Sequence, residues 1–232
     1  MNKVYSTGKL IINKNVLKGE TNSLEWSYLV MDMYGKTIST YSRLFKNSKV
    51  NSVCLLTNLI DRLKYIHLAG FVHNDIKPDN ICFEKEEANF ANSAIRLIDF
   101  GETTTYINSK GVFYKKTDRC KHTGNILISS CIKLENKFLS RKDDMLGLAY
   151  MIFFLIDSLP YQNYYFENIN KLPISQVKSH LYLMKVKAIA EDYCTEETLF
   201  LLLYLEEVFA MDYESKPNYK KVKIPACQIT TR

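Results

Sequence analysis

One octapeptide, His73-Asn74-Asp75-Ile76-Lys77-Pro78-Asp79-Asn80, brings together an acid, a base, a cation and an amide. Transfer of a phosphoryl group from ATP requires a carboxylate to orient the accepting hydroxyl, a cation beside the moving group, and oxygen ligands for Mg²⁺. Each requirement has a candidate here. Asp75 would orient the hydroxyl, Lys77 would neutralise charge on the γ-phosphate, and the Asn80 side-chain oxygen would hold the metal without adding a second full negative charge. Nineteen residues after Asn80 comes Asp99-Phe100-Gly101, behind the strand-like Ile95-Arg96-Leu97-Ile98, which would deliver Asp99 as the charged metal ligand. The competing reading is a polar loop and a turn, since Asn, Asp, Pro and Gly all favour turns. Two motifs in this order and at this separation make coincidence the weaker explanation.

The rest of the chain must position these groups. Residues 9–16 and 26–33 read as strands joined by the polar 18–23 stretch, which predicts a hairpin; the second strand runs into Met31-Asp32-Met33-Tyr34-Gly35. Over 50–68 apolar residues recur near the helical period, at Val53, Leu56, Leu59, Ile60, Leu63 and Ile66, and Gly70 supplies a stop. That helix delivers the chain to His73. Ile81-Cys82-Phe83 and 95–98 read as short strands around a polar turn at 84–92. The apolar run 145–156, flanked by Asp144 and Asp157, is too short to span a bilayer and reads as a buried helix, with Asp143 or Asp144 at its positive N-terminal end. Further helices are predicted over about 174–190 and 196–210. Between them, residues 102–130 form a polar segment carrying Lys110, Lys115, Lys116, Arg119 and Lys121. This cluster suits an acidic or phosphorylated protein substrate, or is simply a solvated loop.

Composition bounds the answer. A chain of 232 residues, 47% of them hydrophobic, can bury a substantial core as one large domain or two small lobes. Net charge is +6, but 24% charged residues in mixed order is ordinary, and nothing in it points to nucleic acid. The six cysteines form no CxxC pair, as expected of reduced thiols in an intracellular protein. Cys120 and His122 could share a metal, yet no second ligand pair accompanies them. The first ten residues hold no apolar core of signal-peptide length, and no membrane association is expected.

The two motifs belong to a longer ordered series: Tyr28-Leu29-Val30-Met31-Asp32-Met33-Tyr34-Gly35, Asp118-Arg119-Cys120-Lys121-His122-Thr123-Gly124, Ser140-Arg141-Lys142-Asp143-Asp144, Leu159-Pro160-Tyr161, and Tyr213-Glu214-Ser215-Lys216-Pro217-Asn218-Tyr219. The series resembles the casein kinase 1 group of protein kinases, and within it the vaccinia-related kinases, over roughly residues 26–222. The resemblance implies an α+β, protein-kinase-like fold, with a short, incomplete β N-lobe and hinge over 1–35 and a mainly helical C-lobe over 36–232. It implies ATP and Mg²⁺ as cofactors and a protein Ser/Thr as acceptor. Asp75 becomes the catalytic base, Lys77 a phosphate contact, Asn80 and Asp99 the Mg²⁺ ligands, Asp32 and Tyr34 backbone contacts to adenine, and Asp144 the buried anchor of the catalytic loop.

Three departures stand against the pattern. Asn74 occupies the place of an Arg that grips a phosphorylated activation loop in most kinases, so activation by loop phosphorylation is not expected. Asn125 replaces a Thr that in the family helps bridge the catalytic Asp and Lys. About 30 residues precede the hinge, where a full N-lobe needs on the order of 80, and the sequence holds neither GxGxxG nor a VAIK-like strand. A pseudokinase that binds a protein partner is therefore the alternative expectation.

Overall fold

The computed structural model describes residues 4–14, 22–46, 48–85, 94–122, 124–196 and 198–223. Two antiparallel strands, β1 (Val4–Lys14) and β2 (Asn22–Met31), pair in a ladder from Val4↔Met31 to Lys14↔Asn22. The hairpin expected from sequence is present, with shifted limits. Strand β1 starts at Val4, and β2 begins at Asn22, inside the stretch expected to be a connection, because ladder hydrogen bonds are made by backbone and do not require apolar side chains. Strand β2 ends at Met31 because the chain then leaves β1 and pairs elsewhere: Gly35 N donates to Phe83 O at 2.8 Å, and Phe83 N to Lys36 O at 3.2 Å. Residues 15–21, which include the end of the first expected strand and residues 18–21 of the expected connection, lie outside the described residues.

After the short helix α1 (Arg43–Lys46) comes α2 (Lys49–Leu68). Ser48 caps α2 by accepting a hydrogen bond from Asn51 N at 3.2 Å, and Val53, Leu55, Leu56, Leu59, Ile60, Leu63 and His67 line its buried face. Gly70 ends it: at φ +87° it adopts the left-handed conformation that side chains disfavour, and its N–H reaches His67 O at 3.1 Å. The chain then passes β3 (Phe71–Val72), the 3₁₀ turn Pro78–Asn80, β4 (Ile81–Phe83) and β5 (Ile95–Leu97), with β4 antiparallel to β5. Strand β6 (Thr104–Thr105) pairs with β3. Residues 86–92 of the expected 84–92 turn lie outside the described residues.

The helical body follows: α3 (Cys131–Leu134), α4 (Arg141–Leu155), α5 (Gln162–Asn168), α6 (Ile174–Lys187) and α7 (Leu202–Phe209). Helix α4 is buried on nearly every side and packs against both α2 and α7, which is why its sequence is apolar all round rather than striped. It begins four residues before the expected apolar run. The box formed by Ser140 and Asp143, with Ser140 N donating to Asp143 Oδ2 at 2.8 Å, starts the helix there and carries Asp143 and Asp144 into its first turn. The helix expected over 196–210 is divided into a 3₁₀ turn, Leu199–Leu201, and α7. No helix among the described residues is long and apolar enough to cross a membrane.

Candidate active site

The His73–Asn74 turn is held from α4. Asp144, 2% exposed, accepts from His73 N at 2.7 Å, Asn74 N at 2.8 Å and His67 Nε2 at 3.0 Å. On the other ring nitrogen, His67 Nδ1 accepts from Tyr219 Oη at 2.8 Å, so one imidazole ties α2 and the 213–219 motif to the same carboxylate. Burial alone would raise the Asp144 pKa; the hydrogen bond from His67 and the N–H of His73 reverse this and hold it below its ordinary value. Asn74 sits at φ +68°, and its Nδ2 donates to Glu102 O and Thr104 Oγ1, each at 2.8 Å. The Asn that stands in place of Arg thus ties the loop to residues 102–104 through neutral hydrogen bonds.

Asp75, Lys77 and Asn80 converge. Lys77 Nζ donates to Asp75 Oδ2 at 2.6 Å, while Asn80 Nδ2 donates to Asp75 O at 2.8 Å and to the same Oδ2 at 2.9 Å. Burial opposes the Lys77 charge, but the hydrogen bond to Asp75 and the fields of Asp75, Asp99 and Asp79 outweigh it, so its pKa is raised. Among the described residues no hydrogen bond reaches Asp75 Oδ1. Gly124 keeps that oxygen clear: at φ +90°, a Cβ there would stand 2.9 Å from it. Ile98 N donates to Asn80 O at 2.9 Å, which brings the end of β5, and with it Asp99, to this loop.

Asp99 is exposed and left-handed at φ +60°, and its Oδ1 accepts from Gly101 N at 3.2 Å. Phe100 lies against the His73 ring, centroids 5.0 Å apart. The two Nδ2 bonds of Asn80 turn its amide oxygen away from Asp75. An amide oxygen and a carboxylate are hard donors that could hold Mg²⁺, which binds one or two protein oxygens and completes its octahedron with phosphate and water. No group of three or more His, Cys, Asp or Glu suited to a metal exists among the described residues.

The Asp32–Tyr34 segment lies between β2 and the Gly35–Phe83 bond. Among the described residues the backbone groups of Asp32, Met33 and Tyr34 have no backbone partner, so they could serve a flat heterocycle. The Asp32 side chain is engaged separately, accepting from Tyr5 Oη at 2.6 Å. Among the described residues Asn125 makes no hydrogen bond to Asp75 or Lys77. Its Oδ1 accepts from Leu127 N at 2.8 Å and Ile128 N at 3.2 Å, because an Asn side chain closes a local turn more readily than it reaches across a site. The residue missed in the sequence is Lys133, whose Nζ donates to the Asn74 carbonyl. Its signal was a single cation within the otherwise apolar Cys131-Ile132-Lys133-Leu134. Among the described residues no metal-type cluster includes Cys120 or His122, and His122 Nε2 contacts Lys137 O at 2.7 Å.

His73 is fully buried, and burial depresses its pKa below the ordinary 6.5 despite nearby carboxylates. Its contacts fit the neutral ring: Nδ1 accepts from Asp75 N and Nε2 donates to Ile98 O, both at 3.3 Å. The unfolded chain therefore binds a proton near pH 6.5 that the folded chain refuses. The stability from His73 is fully present above that pH and is lost as pH falls toward the folded value. His122, also depressed by burial, acts in the same direction. Unfolding midpoints should drop between pH 7.5 and 5.5, with a shallower drop in His73→Gln; identical slopes for the two proteins would sink this assignment.

A family model described as the protein kinase domain matches residues 11–222. The chain belongs to the protein kinase family and has its α+β fold, with a small β element beside a helical body. Among curated relatives it is similar to a probable casein kinase I homologue of Encephalitozoon cuniculi, 28% identical over 167 residues, covering 69% of this chain and 49% of the relative. It is also similar to a probable serine/threonine-protein kinase of fowlpox virus, 24% identical over 212 residues, covering 87% of this chain and 64% of the relative. The chain thus spans about half to under two-thirds of the length of these relatives.

Proposed function

We propose that the chain is an ATP- and Mg²⁺-dependent serine/threonine protein kinase, with N-lobe strands and hinge over residues 1–35 and the catalytic lobe over 36–232. The observation that supports this reading is the division of labour on Asp75: Lys77 and Asn80 both donate to Oδ2, while Oδ1, beside Gly124, accepts no hydrogen bond among the described residues. A Ser or Thr hydroxyl placed at Oδ1 donates its proton there. Its oxygen then attacks the γ-phosphorus as the bond to the ADP oxygen breaks, and Asp75 takes the proton. Lys77, held beside this carboxylate, offsets charge on the transferred group. Asn80 and Asp99 are the ligands for Mg²⁺, which when bound neutralises the phosphates, and the backbone of Asp32 and Tyr34 receives adenine. The acceptor is a protein, and the basic residues at 110–121 favour an acidic or phosphorylated one.

A pseudokinase that binds a protein partner is the second reading. It is favoured by the lack of GxGxxG and a VAIK-like strand in this sequence. Binding of ATP·Mg²⁺ at 100 times its Kd should add about 2.7 kcal/mol of stability. For a chain of this size that raises the unfolding midpoint by roughly 5–10 °C. A flat thermal-shift titration up to millimolar nucleotide would count against the kinase reading, as would absence of labelled phosphate in a Ser/Thr substrate.

A further inference from the structure

Lys133 is a buried cation, 7% exposed, that the chemistry above does not use. Among the described residues its ammonium donates to one acceptor, the Asn74 carbonyl, a neutral group. It lines a cavity with Asn74, Asp75, Asn125 and Asp144. The point where a Cβ on Gly124 would stand lies 3.6 Å from Lys133 Nζ and 2.9 Å from Asp75 Oδ1, so ammonium and carboxylate flank the same glycine, with no ion pair between them among the described residues. Burial lowers the Lys133 pKa, Asp75, Glu102 and Asp144 work to raise it, and Lys77 adds to the lowering. A buried ammonium is costly unless its position is fixed by what it holds.

The supports of Lys133 return to the same helix end that holds the loop. Lys133 N donates to Ser130 Oγ at 3.2 Å, Ser130 Oγ donates to Asp143 Oδ1 at 2.6 Å, and Asp143 sits in the first turn of α4 beside Asp144. Asp144 accepts the Asn74 N–H, and Lys133 donates to the Asn74 C=O. Both polar ends of a left-handed, non-glycine residue are therefore gripped by groups based on adjacent carboxylates. That conformation is disfavoured for a side-chain-bearing residue and persists only where surroundings enforce it. With no donor on its carbonyl, the 74–75 peptide keeps, among the described residues, only the long 3.3 Å bond from Asp75 N to His73 Nδ1, so it can rotate more readily and re-aim Asp75 with it.

We propose that Lys133 is a positioning residue of the phosphotransfer site: its ammonium clamps the Asn74 carbonyl opposite Asp144 and so aims the Asp75 carboxylate at the acceptor hydroxyl. The catalytic part of this proposal rests on the kinase reading; the clamp itself does not. Small misplacement of a reacting group costs on the order of a hundredfold in rate. Lys133→Met should lower kcat by roughly that factor while KM for ATP and for the acceptor peptide stay within about twofold, and Lys133→Gln, which keeps a neutral donor, should recover about tenfold of the loss. Hydrogen–deuterium exchange over residues 73–80 gives a readout without catalysis: exchange should be faster in Lys133→Met than in the parent and intermediate in Lys133→Gln.

Unchanged exchange in Lys133→Met overturns the clamp whether or not the parent transfers phosphate. In a parent that does transfer it, faster exchange with unchanged kcat overturns the catalytic part alone, and a Gln variant as slow as Met overturns the role of the hydrogen bond. In a parent that transfers none, the kinase reading and the catalytic part fall together, and exchange alone decides the clamp. If Lys133→Met does not fold, Ser130→Ala removes the hydroxyl beneath Lys133 and should produce the same changes at smaller amplitude; no change in exchange there rejects the clamp equally.

Discussion

Asp144→Ala should unfold far more easily than the parent chain, by about 3–5 kcal/mol, the usual cost of deleting one partner from a buried charged network. The substitution strips an acceptor from His73 N, Asn74 N and His67 Nε2 at once, in a region closed to water. Each buried donor left unpaired costs about 1–3 kcal/mol, although the three share one carboxylate and their costs do not simply add. At the size of this chain the unfolding midpoint should fall by roughly 10 °C. Asp144→Asn retains one acceptor oxygen and should lose less. Thermal or urea unfolding of the three proteins decides the matter, and an alanine variant that melts with the parent would show that α4 does not anchor the His73–Asn74 turn.

What the sequence made legible was whatever local pattern and chemistry dictate. Helix α2 was visible because its apolar period and the Gly70 stop agree. Helix α4 was visible as an apolar run with Asp143 or Asp144 at its N-terminal end, but its start at Arg141 was not, since the Ser140–Asp143 box that sets it is made of polar residues with no apolar signal. The hairpin was legible and its limits were not, because the ladder extends through polar Asn22 and Ser23 on backbone bonds alone. Short helices α1, α3 and α5 carry too few turns for a periodic signal. In the site, Asp75, Lys77 and Asn80 are neighbours in sequence, so their meeting followed from spacing. Lys133 reaches Asn74 across 59 positions, and such a contact leaves no trace in spacing. Asn125 shows the converse: a plausible long-range bridge lost to a local turn two residues away.

The substitutions Asp75→Asn and Asp99→Asn should separate catalysis from mere binding. Both are nearly isosteric, and Asn can keep hydrogen bonds of the kind made with Lys77, Asn80 and Gly101 at these carboxylates, so both variants should remain folded. What Asp75→Asn removes is a basic oxygen at the open Oδ1 position, and general-base assistance contributes about 10²–10⁴ in rate. What Asp99→Asn removes is the one full negative charge in the proposed metal donor set, with a loss of about 10²–10³ for a preorganised electrostatic contact of this kind. Because the two groups act on one transfer step, the double variant should fall little below the worse single one rather than showing the product of both losses. The measurement is transfer of labelled γ-phosphate to a Ser/Thr substrate or to the chain itself, alongside capture of partner proteins by the same purified proteins. Transfer by the parent that disappears in each single variant rejects the pseudokinase reading, even though this sequence carries no Gly-rich loop. Equal background in parent and variants, with partner capture surviving both substitutions, rejects the kinase reading and leaves Asp75, Lys77, Asn80 and Asp99 as a scaffold that holds the loop in shape without moving phosphate.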